Sequence, residues 1–406
     1  MRILCLSAQL PGHLDWGGYL TTAAELVRRG HTLLWASGAA VAQRVTQAGV
    51  PFHPLAETGW RWPPPPPLTP DPNASPQAIQ QQRQERALDQ WLEVARVKQA
   101  TEEITALVDD FRPDLILSEM FVAAAGLVAE RANVPLIVMG WPAPPNKPST
   151  DVMVAVARQR LDELLAHFNL TGTHWTSDGP PALSAQKHIT FWSPSWFAGM
   201  ALGEQSVHVG GLRPAPHHQA PDTTLPSPED APWVMITLGT SFNVDPNFFI
   251  AAAHAADQLG CLPLLALGTP LDTAWVQQMK PRLPASAVLR PHLDFALYLP
   301  HVSAAIHHGG AGTAHALVVH AIPQIVVPHA ADQMRQAQGV ARSGVGYYLP
   351  AKEVTIPRLV EMLAQLLPDR SPQRANAVAL QAEFDALGGV PAAADQIEQI
   401  GPSQRN

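Results

Sequence analysis

The stretch Ile306–Gln333, IHHGGAGTAHALVVHAIPQIVVPHAADQ, reads as a strand, a glycine-rich turn, a helix, a second strand and the start of another helix. The apolar run that ends at Ile306 suits a buried strand, glycines interrupt it, and TAHALVVH resumes with helical spacing. Such a turn leaves the first backbone N–H groups of the helix without partners, and together with the helix dipole they favour an anion. Gly309, Gly310 and Gly312 let a phosphate approach the main chain, and Thr313, near which the helix is expected to begin, adds a hydroxyl. No GxxxxGK[ST] occurs, which excludes the nucleotide-triphosphatase loop. A bare GGxG is better explained by turn geometry alone. His307 before the turn and Asp332-Gln333 after the next strand shift the reading toward a ligand site.

Outward from this segment the same grammar recurs. WVMITLG, LPLLALG, SAAIHH and PQIVVPH read as strands, and NFFIAAAHAADQLG and DQMRQAQGVARSG as helices. The amino-terminal half alternates likewise: strands at RILCLS, HTLLWAS, DLILS and VPLIVMG, helices at GGYLTTAAELVRRG, AVAQRVTQAG and AAAGLVAERA, and one long polar helix over Gln77 to Phe111. The fold class is therefore α/β, with two similar halves, each a parallel sheet covered by helices. Five successive prolines from Pro63 force a loop, and GLRPAPHHQAPDTTLPSPEDAP, Gly211 to Pro232, has the composition of an interdomain linker. We place a first domain at residues 1–212, a linker at 213–231, a second domain at 232–374, and at 375–406 two short amphipathic helices that pack back toward the first domain.

A chain of 406 residues suits two or three domains. With 26 Lys plus Arg against 34 Asp plus Glu, the formal charge of -8 argues against a nucleic-acid partner. Cys5 and Cys261 lie in apolar runs and read as buried thiols of a reducing cytoplasm, not as a disulfide or zinc site. No apolar run reaches the roughly 18 residues of a membrane span, so a cytoplasmic location is expected, with any membrane contact peripheral. His292, His301, His307, His308, His315, His320 and His329 crowd one stretch, yet no HExxH or cysteine pair accompanies them, so no metal site is expected.

The string HHGGAGT, followed by PQIVVPHAADQ and GVG at Gly344–Gly346, resembles the donor-binding signature of family 1 glycosyltransferases. GH near the amino terminus, RRGHTLLWAS, PDLILSE and VMITLGTSFN extend the likeness over the whole chain, most closely toward bacterial members that decorate macrolides, glycopeptides, carotenoids and sterols. The resemblance implies a GT-B fold: two facing Rossmann-like domains, an interdomain cleft, and inverting transfer of a hexose from a UDP- or dTDP-sugar without a metal or other cofactor. On the donor side it implies that His307 contacts the diphosphate, that Gly309, Gly310, Gly312 and Thr313 bind phosphate, and that Asp332 and Gln333 grip sugar hydroxyls. It further implies that Gly239, Thr240 and Ser241 approach from the other side and that His292 and Leu293 hold the base. His292 stands where many relatives have a larger aromatic ring, which leaves the base open.

On the acceptor side the resemblance makes His13 the general base and Glu119, where relatives often have Asp, its partner; Asp15 is the local alternative. Taken alone, a loop histidine such as His13 is better read as a surface residue, and Asp332 as a helix cap. Trp60, Trp62 and Trp141 are candidate walls for an apolar, hydroxylated small-molecule acceptor, although tryptophan is also ordinary core material. A nucleotide-sugar 2-epimerase of the same architecture and a non-catalytic nucleotide-sugar-binding protein are the alternatives.

Overall fold

The structure is a computed structural model that describes residues 1–14, 18–61, 69, 71, 73–140, 152–175, 183, 186–211, 225–240, 244–329 and 333–400. The chain divides into two compact units. The first comprises Met1–Phe191, Met200–Val209 and the segment from Gly388 onward; the second comprises Trp192–Gly199 and Gly210–Leu387.

In the first unit the strands are β1 (Arg2–Leu6), β2 (Thr32–Ser37), β3 (Phe52–Pro54), β4 (Leu115–Ser118), β5 (Leu136–Met139), β6 (Lys187–Thr190) and β7 (Ser206–His208). They form one sheet in the order β3-β2-β1-β4-β5-β6-β7 with every pairing parallel. The helices are α1 (Pro11–Leu14), α2 (Tyr19–Arg28), α3 (Ala42–Gln47), α4 (Pro76–Leu88), α5 (Val94–Phe111), α6 (Ala123–Ala132) and α7 (Val152–Phe168). Alternate residues of each strand serve opposite faces. Leu4, Leu6 and Ile116 join the core under α5 and α6, while Ile3, Cys5 and Leu117 join the core under α2. Both faces being covered is what makes these strands continuously apolar. The long helix expected over Gln77 to Phe111 is two helices: Leu88 and Leu92 turn into the core, and Arg61 donates its N–H to Gln90 O at 2.8 Å across the break.

The second unit repeats the plan with β8 (Trp233–Thr237), β9 (Leu262–Ala266), β10 (Val288–Arg290), β11 (Val302–His307), β12 (Gln324–Val326) and β13 (Gly346–Tyr348). Their order is β10-β9-β8-β11-β12-β13, again parallel throughout. Its helices are α8 (Pro246–Gln258), α9 (Ala274–Met279), α10 (Phe295–Tyr298), α11 (Ala311–Val319), α12 (Gln333–Arg342), α13 (Ile356–Leu366) and α14 (Pro372–Ala386). Val234, Ile236, Ala304 and Ile306 pack under α8 and α13, whereas Met235, Ala305 and Leu317 pack under α11. Several of the abundant prolines start helices. Asp245 before Pro246 and Ser371 before Pro372 each accept a first-turn N–H, from Phe248 and Arg374.

The expected domain limits differ from these units. Residues 192–199 belong to the second unit, where Trp192 stacks on Trp196 with ring centroids 4.3 Å apart and Arg342 donates to Trp196 O. The two tail helices separate: α14 stays in the second unit, and only α15 (Gly389–Glu398) joins the first. There Arg29 pairs with Asp395 at 2.6 Å and Glu398 at 2.9 Å, and Ala393, Ala394 and Ile397 enter the core. Residues 213–224 of the expected linker lie outside the described residues. Among the described residues no helix is long and apolar enough to cross a membrane. Both cysteines are free and buried, and burial raises both thiols, Cys261 to about 11.

Gly346 lies in β13 directly against β12, where an added Cβ would overlap the Gln324 carbonyl oxygen. Because that atom is backbone in a paired strand, Gly346→Ala is expected to destabilise the protein by about 3 kcal/mol or more, in the upper range of overpacking, as read from urea unfolding.

Candidate active site

In an open parallel sheet, ligands bind beyond the carboxyl ends of the strands where the strand order reverses. In the first unit that point lies between β1 and β4, and in the second between β8 and β11. The sequence candidates His13 and Glu119 follow β1 and β4, and Gly239 and His307–Thr313 follow β8 and β11.

At the first reversal the strand ends are fixed by buried polar groups. The Tyr19 hydroxyl accepts from Leu6 N–H at 3.1 Å and donates to Leu117 O at 2.9 Å, tying β1 to β4. Trp35 donates its indole N–H to Ser7 Oγ, and Ser37 Oγ donates to Ser7 O. Glu119, the next residue after β4, is completely buried, and its Oε1 accepts from Ala8 N–H at 2.7 Å. Its carboxylate thus sits beneath the loop that leads from β1 into α1, the short helix whose backbone contains His13. The His13 side chain and Asp15 lie outside the described residues, as do Trp62 and Trp141. Trp60 is described: it packs on Phe121, which packs on Trp91, with ring centroids 5.4 and 5.9 Å apart. This aromatic cluster begins two residues after Glu119, and its Phe121 and Trp91 carry no signature in sequence.

At the second reversal the glycine turn is built on His307. The ring is wholly buried; Nδ1 accepts from Gly309 N–H at 3.1 Å, so the hydrogen is on Nε2, which donates to Gln324 Oε1 at 3.0 Å. Gln324 in turn reaches Ala314 O on α11. Desolvation, then the neighbouring His308, depresses His307 to about 3, so the ring is neutral. The expectation that His307 contacts a diphosphate is therefore corrected: both ring nitrogens are bonded inside the protein, and the residue braces the turn.

The adjacent His308 faces the other way. It lies beside the two glycine backbones, since a Cβ on Gly310 would come 2.5 Å from its Nε2 and one on Gly239 2.8 Å. It is depressed to about 4 by burial and then by His329, against a hydrogen bond to the Thr237 backbone, and its Nδ1 has no hydrogen-bond partner among the described residues. Gly309 adopts φ 91°, and a Cβ there would meet Gln333 O at 2.9 Å. The helix begins two residues before Thr313, at Ala311. Its N-cap Gly310 supplies no side-chain bond, so the first N–H groups of this nine-residue helix keep their capacity for an anion. Gly312 is exposed and its Cβ position open.

The remaining candidates are placed as follows. Gly239 has φ 73° and donates to Thr237 Oγ1, and Thr240 beyond it is exposed. Ser241 and Asp332 lie outside the described residues. Gln333 is nearly buried, and its Oε1 accepts from His329 N–H at 2.7 Å, so that oxygen holds the loop instead of facing out to a sugar hydroxyl. His292 is exposed after β10, while the Leu293 side chain packs inward near Trp233 and Leu299. Among the described residues there is no group of three or more His, Cys, Asp or Glu that could hold a metal.

Residues 276–396 match the family model of the erythromycin biosynthesis protein CIII-like C-terminal domain. The chain is 24% identical to NDP-glycosyltransferase YjiC of Bacillus subtilis (strain 168) over 311 residues, 73% of this chain and 75% of that protein. It superposes on the glycotransferase of kitacinnamycin with a TM-score of 0.78 at 21% identity, covering 98% of each chain. It superposes on spinosyn rhamnosyltransferase SpnG complexed with thymidine diphosphate with a TM-score of 0.71 at 20% identity, covering 98% and 100%. The two parallel-sheet units are those of a GT-B fold. The chain is similar to family 1 glycosyltransferases and is a nucleotide-sugar-dependent glycosyltransferase.

His307 and His308 make the second unit sensitive to acid. An unfolded histidine takes a proton near pH 6.5, and these do so only near 3 and 4 in the folded protein. Between those values the unfolded state binds more protons, so stability rises with pH, is complete above about 6.5 and is lost on acidification. Each histidine is expected to contribute a slope of up to about 1.4 kcal/mol per pH unit near pH 5. Melting curves from pH 7.5 to 4 should show it, and His307→Gln should flatten the slope.

Proposed function

We propose that this chain transfers a hexose, with inversion at the anomeric carbon, from a UDP- or dTDP-sugar to a hydroxyl of an apolar small-molecule acceptor such as a secondary metabolite. The observation that carries this reading is the uncapped amino terminus of α11 beside a buried imidazole whose Nδ1 has no partner among the described residues. The amide N–H groups form a donor set for the oxygens of a diphosphate, and the neutral His308 ring packs beside them. The thymidine diphosphate bound by the spinosyn rhamnosyltransferase supports a nucleoside diphosphate as the ligand.

In the proposed reaction His13 removes the acceptor hydroxyl proton as that oxygen bonds to the anomeric carbon. The bond from that carbon to the diphosphate breaks, and its electron pair stays on the departing oxygen, stabilised by the α11 amides. Glu119, placed under the α1 loop by Ala8, holds the base in position. The developing charge is met by hydrogen-bond donors, so we propose that no metal participates and that dialysis against EDTA leaves turnover intact.

Two substitutions test the reading separately. His308→Ala should weaken UDP or dTDP binding by roughly tenfold, because the ring packs between the Gly239 and Gly310 backbones and supports the turn, as measured by calorimetry. His13→Ala should lose about 100- to 10,000-fold in turnover while binding the nucleoside diphosphate normally. Wild-type turnover in His13→Ala would remove the base assignment. Mass analysis of products, with donor alone and with a panel of hydroxylated acceptors, separates transfer from epimerisation of the donor.

A further inference from the structure

Sheet order places β11 between β8 and β12, so the loops that leave β8 and β12 flank the glycine turn after β11 on either side. The two outer strands do not touch, being two strand spacings, or about 10 Å, apart. One side chain spans them. His329, three residues beyond β12, bonds through Nδ1 to Val327 O at 2.7 Å and through Nε2 to Asp245 Oδ2 at 3.2 Å. Asp245 is the N-cap of α8, reached from β8, and its other oxygen accepts from Phe248 N–H at 3.1 Å. The His329 backbone is held too, because its N–H donates to Gln333 Oε1 at the start of α12.

We infer that His329 is a positioning residue of the donor site: its ring ties the loop after β8 to the loop after β12 and so fixes both walls around the His308–Gly310 turn. This rests on the donor-site reading above. Both ring contacts are acceptors, a carbonyl and a carboxylate. A ring with one hydrogen satisfies only one of them; the imidazolium satisfies both, and the second bond is charge-assisted. The titratable groups around it among the described residues are Asp245 on α8 and His308 before α11; β12 and α12 contribute a carbonyl and the Gln333 amide. Burial, and after it His329, favours the neutral form of His308.

The test is calorimetric affinity of the full-length protein for dTDP and UDP between pH 5.5 and 8.5, with melting temperatures alongside. The variants are His329→Gln and Asp245→Asn. Asparagine can still cap α8 through its oxygen, and its amide can donate to a neutral His329, so Asp245→Asn keeps the geometry and removes the dependence on charge. The ratio of wild-type to variant affinity cancels the nucleotide's own titration. His329→Gln is expected to bind roughly tenfold more weakly than wild type while melting close to it. Asp245→Asn is expected to melt and to bind near wild type. Wild-type affinity in His329→Gln would overturn the positioning role while leaving the donor site standing. A wild-type protein that binds neither nucleotide would overturn both.

Discussion

The structure depends on the point at which each parallel sheet reverses its strand order. At β1/β4 and at β8/β11 the chain leaves neighbouring strands in opposite directions, so the helices diverge and the strand ends are left uncovered. Backbone groups there lack the sheet partners that satisfy the rest of the ladder, and buried polar groups must be paired or aimed at a ligand. Tyr19 and Glu119 do the pairing in the first unit, and His307 with Gln324 does it in the second. What the braces leave unpaired at the second reversal are the amide N–H groups that open α11.

This division of labour between adjacent residues explains why the sequence was legible to one level and not the next. The apolar runs, the glycine turn and the prolines that start helices disclosed two parallel α/β units, because each follows from local chemistry. Which of His307 and His308 faces inward does not. A strand covered on both faces is apolar throughout, so periodicity loses its phase; Ala304, Ala305 and Ile306 are all buried, on alternating sides. Only the register that sets His307 beside Thr237 and Val326, under α11, decides that this ring is the internal one.

The same limit applies to the chain's passages between units. Trp192–Gly199 carries two tryptophans that any compact unit would bury, and α14 and α15 are both amphipathic. Their allegiance is settled by partners distant in sequence: Phe384 against Trp192, and Arg29 against Asp395 and Glu398. Phe121 and Trp91 were missed for a related reason. They become neighbours of Trp60 only because the expected long helix breaks at residues 89–93, and no proline or glycine marks that break.

Buried histidine serves two ends in the second unit, and the difference lies in what surrounds each ring. His307 has one acceptor and one donor as partners, which selects a single neutral tautomer and makes it a rigid brace. His329 has two acceptors, one on each neighbouring loop, which makes it a tie between loops. His308 stands between these cases, bonded to the Thr237 backbone and kept neutral chiefly by burial. The capacity for an anion beside the glycine turn therefore rests with the α11 amides, and the histidines around them hold the backbone that presents them.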